Sequence, residues 1–369
     1  MPCAEEEELA AWLRLTTTPR LGATALRRLL AAFGSPQAVL SAPAGARKAV
    51  AGEAAAHALS GEPAQVRQLW DRTATWLSKA AAGAPRALIA LGDPRYPHAL
   101  LHTADPPLLL HAEGRLSLLA SPSLALVGSR NATPQGLAHA STFAGELAGA
   151  GLTVVSGLAL GIDGAAHAGA LAHSAGTVAV VGTGLDQVYP RHHAELAERI
   201  RHDGLILSEH PLGTPPRGPH FPRRNRIIAG MTRGTLVVEA ALASGSLITA
   251  RLAAESGREV FAIPGSIHSP QSRGCHALLK QGAKLVETTA DILEELNWAA
   301  PSLSSGGSTS TEAPDPLLDA LAHDPVDLNT LVIRTGESAQ ALTPRLLQLE
   351  FEGRIARLPG LRFQRLSPP

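Results

Sequence analysis

The stretch LALVGSRNATPQG, residues 124–136, joins an apolar run to a helix start through a short turn. Leu124 to Val127 predict a buried strand, and Pro134 is typical of the first turn of a helix. Between them, Gly128 lets a bound group approach the backbone closely, Ser129 can donate a hydrogen bond, and Arg130 can make a bidentate contact to phosphate oxygens. The segment therefore predicts either a phosphate pocket or an ordinary tight strand–helix turn. Its spacing is not that of the GxGxxG dinucleotide fingerprint.

The same pattern recurs between about residues 86 and 298. Seven further β-rich runs appear there: ALIAL, LTVVSG, TVAVVG, LILSE, TLVVEA, EVFAIPG and AKLVE. Stretches of helical length separate most of them. Apolar strands alternating with helices predict an α/β fold with a parallel sheet covered on both faces. In such sheets the ligand crevice lies at the carboxyl ends of the strands.

Different patterns flank this central region. Residues 1–82 show the apolar spacing of helices, and 83–298 form the predicted sheet domain. Residues 299–314, rich in Gly and Ser, predict a flexible linker. Residues 315–369 predict three helices followed by a hairpin, which is the order of a winged helix.

Composition excludes several classes of protein. The 369 residues carry zero formal net charge, so a nucleic-acid surface would have to arise from local clustering. The two cysteines form no CxxC pair, so we predict no zinc module, no other metal site and no disulfide framework. The acidic N-terminus does not resemble a secretory signal, and no apolar run approaches the ~20 residues of a membrane helix. We expect a soluble, cytoplasmic protein without a membrane span.

A local cluster of positive charge stands in HFPRRNRIIAG, residues 220–230. No acidic residue lies between Glu209 and Glu239. A run of one sign at the ligand edge of a sheet predicts a phosphate-tracking surface, whereas an ion-paired structural segment is the alternative. We predict a direct contact from Arg223 or Arg224, and a partly inward-packed Arg226.

Further glycine turns follow other predicted strands. Gly157 opens one, and Gly245 with Ser246, a candidate N-cap, opens another. Several converging Gly/Ser turns favour an extended anionic ligand over one mononucleotide. Asp163 and His167, four residues apart, suit either an acid–base pair or a hydrogen bond that fixes the turn. We favour the second interpretation because no nucleophile stands nearby, and we assign no catalytic residue.

These motifs together resemble the bacterial DNA-processing protein A (DprA/Smf) family. The resemblance rests on ordered strings: DPRYPHALLHTADPPLLLHAEG (93–114), ALVGSR (125–130), SGLALGIDGAAHAGAL (156–171), GLDQVYP (184–190), FPRRNRIIAG (221–230), VVEAALASGSLITA (237–250) and VFAIPGS (260–266). It implies an extended Rossmann-like domain that binds single-stranded DNA without chemistry or cofactor. It also implies homodimers, protection of incoming single strands, and loading of RecA on them during natural transformation (competence), with a single-strand-binding protein as a further candidate partner.

The resemblance also assigns residues. The family's Gly-Ser/Thr-Arg phosphate pocket matches Gly128-Ser129-Arg130, and its basic DNA-binding positions fall near Arg191 and within 221–226. The full set of predicted phosphate-binding residues is Gly128, Ser129, Arg130, Gly157, Arg191, Arg223, Arg224, Asn225, Arg226, Gly245 and Ser246.

The two end domains leave alternatives open. TPRLG, residues 18–22, resembles a SAM-like or helix-hairpin-helix unit, which suits either phosphate or a protein partner. In the winged helix, Arg345, Arg354 and Arg357 are candidate contacts to duplex DNA, and a protein-interaction module is the alternative.

Two other functions compete with DNA binding. GTLVVEA, residues 234–240, resembles a turn of nucleotide phosphoribohydrolases, with Glu239 as the acid–base candidate. That family has Pro-Gly-Gly where this chain has Met231-Thr232-Arg233. The other candidate is a winged-helix transcription regulator whose central domain senses a nucleotide.

Overall fold

A computed structural model describes residues 4–61, 63–81, 83–298, 315–321, 325–358, 360 and 362–366. The predicted linker, residues 299–314, lies outside the described residues. None of the described helices is long and apolar enough to cross a membrane.

The N-terminal part is helical. Its helices are α1 (Ala4–Thr17), α2 (Ala23–Phe33), α3 (Pro36–Ser41), α4 (Ala44–Ala51), α5 (Glu53–Ala58) and α6 (Ala64–Ser78). Leu13, Leu26 and Leu29 are fully buried in a core that also contains Leu88 and Leu109 of the neighbouring sheet. Since this core is continuous, the helices are packed firmly against the central domain.

The central part alternates strands and helices. Its elements are β1 (Arg86–Ala90), β2 (Leu109–Gly114), β3 (Ser123–Val127), α7 (Pro134–Gly149), β4 (Thr153–Ser156), α8 (Ile162–Ala170), β5 (Thr177–Val181), α9 (Ala194–Asp203), β6 (Leu205–Ser208), α10 (His220–Met231), β7 (Gly234–Val237), α11 (Ser246–Glu255), β8 (Glu259–Ala262), α12 (Arg273–Lys280), β9 (Lys284–Leu285) and α13 (Thr289–Glu295).

The strands form one nine-stranded sheet of order β1-β2-β6-β5-β4-β3-β7-β8-β9. Every pair from β6 to β9 is parallel, whereas β1–β2 and β2–β6 are antiparallel. The predicted mostly parallel, extended Rossmann-like sheet is therefore confirmed. Helices α7, α8 and α9 cover one face, and α10, α11 and α12 cover the other. The chain leaves β3 in one direction and returns to its other side as β7, which makes the β3–β7 boundary the switch point of the sheet.

The C-terminal part comprises α14 (Pro316–Leu321), β10 (Val326–Asp327), α15 (Leu328–Thr335), α16 (Ala339–Phe351), β11 (Ile355–Leu358) and β12 (Arg362–Arg365). The strands form a small sheet of order β10-β12-β11, and the helices bury Leu317, Leu331 and Leu346 against it. This arrangement confirms the predicted winged helix.

Candidate nucleic-acid interface

A cleft of about 440 Å³ opens at the switch point, beyond the carboxyl ends of β3 and β7. Its lining includes residues 128–131 of the turn after β3, residues 243–246 before and at the start of α11, and four residues of α10: Phe221, Pro222, Arg224 and Asn225. The structure therefore brings together segments that lie more than 100 residues apart in the sequence, as expected for a sheet of this type.

The turn after β3 is built so that only glycine fits at its first position. A Cβ on Gly128 would lie 2.6 Å from Cγ1 of Ile162 and 2.9 Å from the carbonyl oxygen of Glu239. The Ser129 amide donates to that same carbonyl at 2.7 Å, and the Ser129 hydroxyl accepts from the Asn131 amide at 3.1 Å. These bonds hold the loop rigid and leave the side chain of Arg130 exposed at its tip.

Arg130 has an aromatic neighbour that the sequence analysis did not select. Its guanidinium carbon lies 5.7 Å from the ring centroid of Phe221, which in turn lies 5.5 Å from the ring of Tyr189. Tyr189 is 46% exposed. Arg130 and Phe221 line the cleft, and Tyr189 extends this cation–aromatic row beyond it. Arg191 is exposed two residues after Tyr189, in a short 3-10 helix.

The amino end of α7 is not free for a phosphate, which differs from what the Pro134 signal suggests. The Thr133 hydroxyl accepts from the Gly136 amide at 3.0 Å. The Glu239 carboxylate accepts from the Thr133 amide at 2.9 Å and from its hydroxyl at 2.5 Å. Burial raises the pKa of Glu239, although these two bonds oppose the shift. A side chain of the protein already occupies the place of an anion there.

The amino end of α11 also faces the cleft, but its first amides are bonded within the turn: the Leu247 amide donates to the Ser244 carbonyl and the Ile248 amide to the Gly245 carbonyl, both at 3.2 Å. The N-cap is Gly245, so the prediction of Ser246 as N-cap is wrong by one position. The Ser246 amide instead points to the Ser244 hydroxyl, at 3.3 Å, and the two serine hydroxyls are 2.7 Å apart. The Asn225 amide group donates to the Gly245 carbonyl at 3.4 Å, which ties this turn to α10.

The environment of Arg224 differs from the one expected of a residue that contacts phosphate directly. Its side chain is buried, and its Nη1 donates to the carbonyls of Gly157, at 2.6 Å, and Val180. A Cβ on Gly157 would lie 2.1 Å from the Arg224 guanidinium, so glycine is required for this packing. Burial lowers the pKa of Arg224 to about 10, which leaves it charged at neutral pH and facing the buried Asp163. Its contacts are those of a residue that joins α10 to the ends of β4 and β5.

Asp163 and His167 hold the turn after β4. Asp163 accepts from the amides of Gly157 at 3.1 Å and Ala159 at 3.3 Å, and His167 Nε2 accepts from the Leu158 amide at 3.2 Å. Burial lowers the pKa of His167 to about 3, which keeps it neutral. The turn-fixing interpretation is thereby supported, although each side chain bonds to the backbone rather than to the other.

The remaining arginines of α10 are ion-paired. Arg226 pairs with Asp105 at 3.1 Å and with Glu209, and its side chain is 15% exposed. This agrees with the predicted inward packing. Arg223 is 54% exposed, with its Nε 3.3 Å from Glu209. The sequence analysis missed Asp105 as a partner because it lies 121 positions before Arg226.

In the winged helix, α16 offers one basic residue for duplex DNA. Arg345 pairs with Asp315 at 3.0 Å and Glu337 at 2.8 Å. It is the only basic residue of α16. Arg354 precedes β11, and Arg357 is exposed on that strand. Among the described residues, no group of three or more His, Cys, Asp or Glu side chains could hold a metal ion.

A mostly parallel sheet with a glycine-lined, arginine-bordered cleft at its switch point defines a Rossmann-like binding protein for an anionic ligand. Comparison with known proteins identifies the family. The family model described as DNA recombination-mediator protein A matches residues 87–297, the DprA winged helix domain 291–361, and the DprA-like N-terminal HHH domain 6–65. The chain belongs to this DprA/Smf family.

Individual relatives agree with this assignment. Protein Smf of Escherichia coli is 45% identical over 285 residues, which are 74% of this chain and 76% of that protein. DNA processing protein DprA of Streptococcus pneumoniae is 48% identical over 206 residues, or 56% of this chain and 73% of that protein. The X-ray structure of the S. pneumoniae protein superimposes with a TM-score of 0.63 at 37% identity, covering 80% of this chain and 99% of that one. A structure of the Helicobacter pylori protein, concerned with its single-stranded DNA binding mode, gives 0.52 at 32% identity, covering 57% and 95%.

Proposed function

We propose that this protein binds single-stranded DNA in the switch-point cleft and acts as a recombination mediator that loads RecA during natural transformation, while protecting the incoming strand. The observation that carries the proposal is the exposed Arg130 on a rigid Gly-Ser loop beside the half-buried Phe221 and the exposed Tyr189. The family supports the same proposal, because the structure of the H. pylori member concerns its single-stranded DNA binding mode.

The surface suits a flexible, unpaired strand. Phosphates can reach Arg130 and Arg191, which are exposed at the same edge of the sheet, and the turn of Ser244 and Gly245 lines the cleft beside Arg130. Bases can stack on Tyr189 and Phe221, a contact worth about 1–3 kcal/mol per base and tolerant of sequence. Aromatic residues make up only 3% of the chain, so we expect phosphate contacts to dominate the affinity.

A hydrolase is less well supported than a binding protein. Glu239, the acid–base candidate, already accepts two hydrogen bonds from Thr133. Asp163 and His167 are committed to backbone amides. We therefore propose a non-enzymatic protein that needs no cofactor.

A sequence-reading transcription regulator is also less well supported. The exposed side of α16 mixes apolar residues, Pro344, Leu347 and Phe351, with polar ones, Gln340, Thr343 and Gln348. Base edges in the major groove are read by hydrogen-bonding side chains, and the apolar residues, of which Phe351 is 85% exposed, cannot supply them. This face favours a protein partner, and any duplex contact would come from Arg354 and Arg357 in the wing.

The partners we propose are RecA, a second copy of the chain and a single-strand-binding protein on the same DNA. Support for the homodimer comes from the open sheet edge at β9, where Leu285 is 46% exposed. A groove of about 780 Å³ between α11 and α12 lies near it. RecA loading places the activity in the cytoplasm.

The experiment is RecA filament formation on a long single strand coated with single-strand-binding protein. The wild-type protein should shorten the lag before filaments form. Arg130→Ala should restore the lag, whereas Arg199→Ala, an exposed arginine of α9, should behave as wild type. A lag unaffected by the wild-type protein would refute the mediator role.

A further inference from the structure

A second cavity, of about 260 Å³, lies where the N-terminal helices meet the central sheet. Its walls include the apolar side chains of Leu21, Leu26, Leu109 and Pro211. The volume is just below the ~300–1,000 Å³ of pockets for drug-sized ligands, so it suits one small planar group. We call it the junction cavity.

The junction cavity and the switch-point cleft are neighbours across the first turn of α10. Pro222 lines the cleft, and the next residue, Arg223, lines the junction cavity. Consecutive Cα atoms are about 3.8 Å apart, so a strand lying over this turn would border both spaces. Arg223, 54% exposed, stands where its backbone would pass.

The polar lining of the junction cavity is unusual for a simple packing gap. Arg27, Glu209 and Arg223 line the cavity, and they pair with Asp105 and Arg226 behind the lining. The three guanidiniums face two carboxylates, which leaves one positive charge in excess. This excess of positive charge is compatible with a negatively charged phosphodiester at the rim of the cavity. A phosphate inside, beside the Glu209 carboxylate, would be repelled.

One ring in the lining of the junction cavity suits a planar ligand. The His210 ring is stacked on the His220 ring at 4.0 Å between centroids. The Glu209 carboxylate is already held by Arg226 and by Arg223, whose Nε lies 3.3 Å from Oε2 of Glu209, so it is not free to bind a ligand. Apolar walls and a flat ring are features that bind unpaired bases.

We propose that the junction cavity receives one unpaired nucleobase of the strand whose phosphates lie in the switch-point cleft. The proposal rests on the proposed function and extends it, because it gives the N-terminal helical domain a direct part in DNA binding. The base enters between the leucines and Pro211, lies beside the His210 ring, and leaves its sugar and phosphate at Arg223.

Gly22 provides the test, because it lines the junction cavity in an ordinary extended conformation (φ −73°, ψ 151°) and a Cβ there would meet nothing within 4 Å. Gly22→Phe should occupy the cavity without straining the fold. Gly45→Phe, at a second open glycine in α4, is the matched control. Ala23→Phe is a second filling variant. Binding is followed by fluorescence anisotropy with oligothymidine and with an abasic deoxyribose-phosphate strand of equal length.

We expect Gly22→Phe and Ala23→Phe to weaken oligothymidine binding about tenfold, as loss of one bound base predicts, and the control to bind as wild type. On the abasic strand all four proteins should bind alike. Unchanged oligothymidine binding in both filling variants would overturn the proposal, and so would an equal loss on the abasic strand. Failure of the proposed function is seen separately, as wild-type protein that does not bind oligothymidine or does not respond to Arg130→Ala.

Discussion

Replacing Arg224 by methionine should unfold the protein more easily, whereas replacing Arg130 by alanine should only weaken DNA binding. The two arginines border one cleft but differ in environment: Arg224 is 5% exposed, and Arg130 is exposed at a loop tip. The contrast separates the residue that builds the cleft from the residue that contacts its ligand.

The magnitudes follow from the contacts. Without its guanidinium, the carbonyls of Gly157 and Val180 lose a charged donor, and the buried Asp163 loses the opposite charge that faces it. Removing one partner of a buried charge pair costs about 3–5 kcal/mol in unfolding free energy. Arg130→Ala should change stability by no more than about 0.5 kcal/mol. It should reduce the salt dependence of single-strand binding by about 0.7 in the log–log slope for each lost phosphate contact.

The assays are urea unfolding at neutral pH and anisotropy of labelled oligothymidine across a salt series, with Arg199→Ala as the exposed control. Binding is measured below the urea and temperature range in which Arg224→Met unfolds. The reasoning would be refuted if Arg224→Met lost less than about 1 kcal/mol of stability but lost DNA binding and salt dependence as Arg130→Ala does. Arg224 would then be a phosphate ligand.

Three further predictions address the cleft, the core and the rejected chemistry. Gly245→Leu should block the cleft and weaken single-strand binding at least about tenfold (~1.4 kcal/mol). Its melting temperature should be unchanged, because a Cβ at this position meets nothing within 4 Å. If the variant binds as tightly as wild type, the amino end of α11 is not part of the site. Burial lowers the pKa of His111 to about 4. The contribution of this histidine to the free energy of unfolding is therefore fully present above the unfolded pKa near 6.5 and is lost as the pH drops toward 4. Between pH 7 and pH 5, the unfolding free energy of the wild type should therefore fall by about 2 kcal/mol more than that of His111→Leu, as measured by urea unfolding. Parallel pH profiles of the two proteins would contradict this. Glu239→Gln should bind single strands with an affinity within about twofold of wild type. Neither protein should release base from purine monophosphates. Release by the wild type alone would support the hydrolase function instead.

The sequence predicts the sheet well because its signal is local. Many of the apolar runs end at a glycine or serine turn and are followed by a stretch of helical length, which is enough to predict parallel strands and their ligand edge. β2 escapes that reasoning because Leu109–Gly114 includes His111 and Glu113, which are buried by partners elsewhere in the chain. The antiparallel edge of the sheet was therefore not anticipated.

The site is less predictable because its electrostatics are long-range. The absence of acids between Glu209 and Glu239 suggests a free basic surface, yet Asp105 and Glu209 pair with Arg226. Nothing near Arg224 in the sequence indicates that it packs on Gly157, 67 positions earlier. The Ser129–Arg130 turn could be found from sequence because its strand, glycine and helix are consecutive.

The most direct test of the account is the salt dependence of wild-type binding to labelled oligothymidine and to a matched duplex. We predict tight single-strand binding that falls steeply with salt, and weaker binding to the duplex. Binding to the duplex alone would move the function to the winged helix, and no binding to either strand form at low salt would contradict the assignment of the cleft to single-stranded DNA.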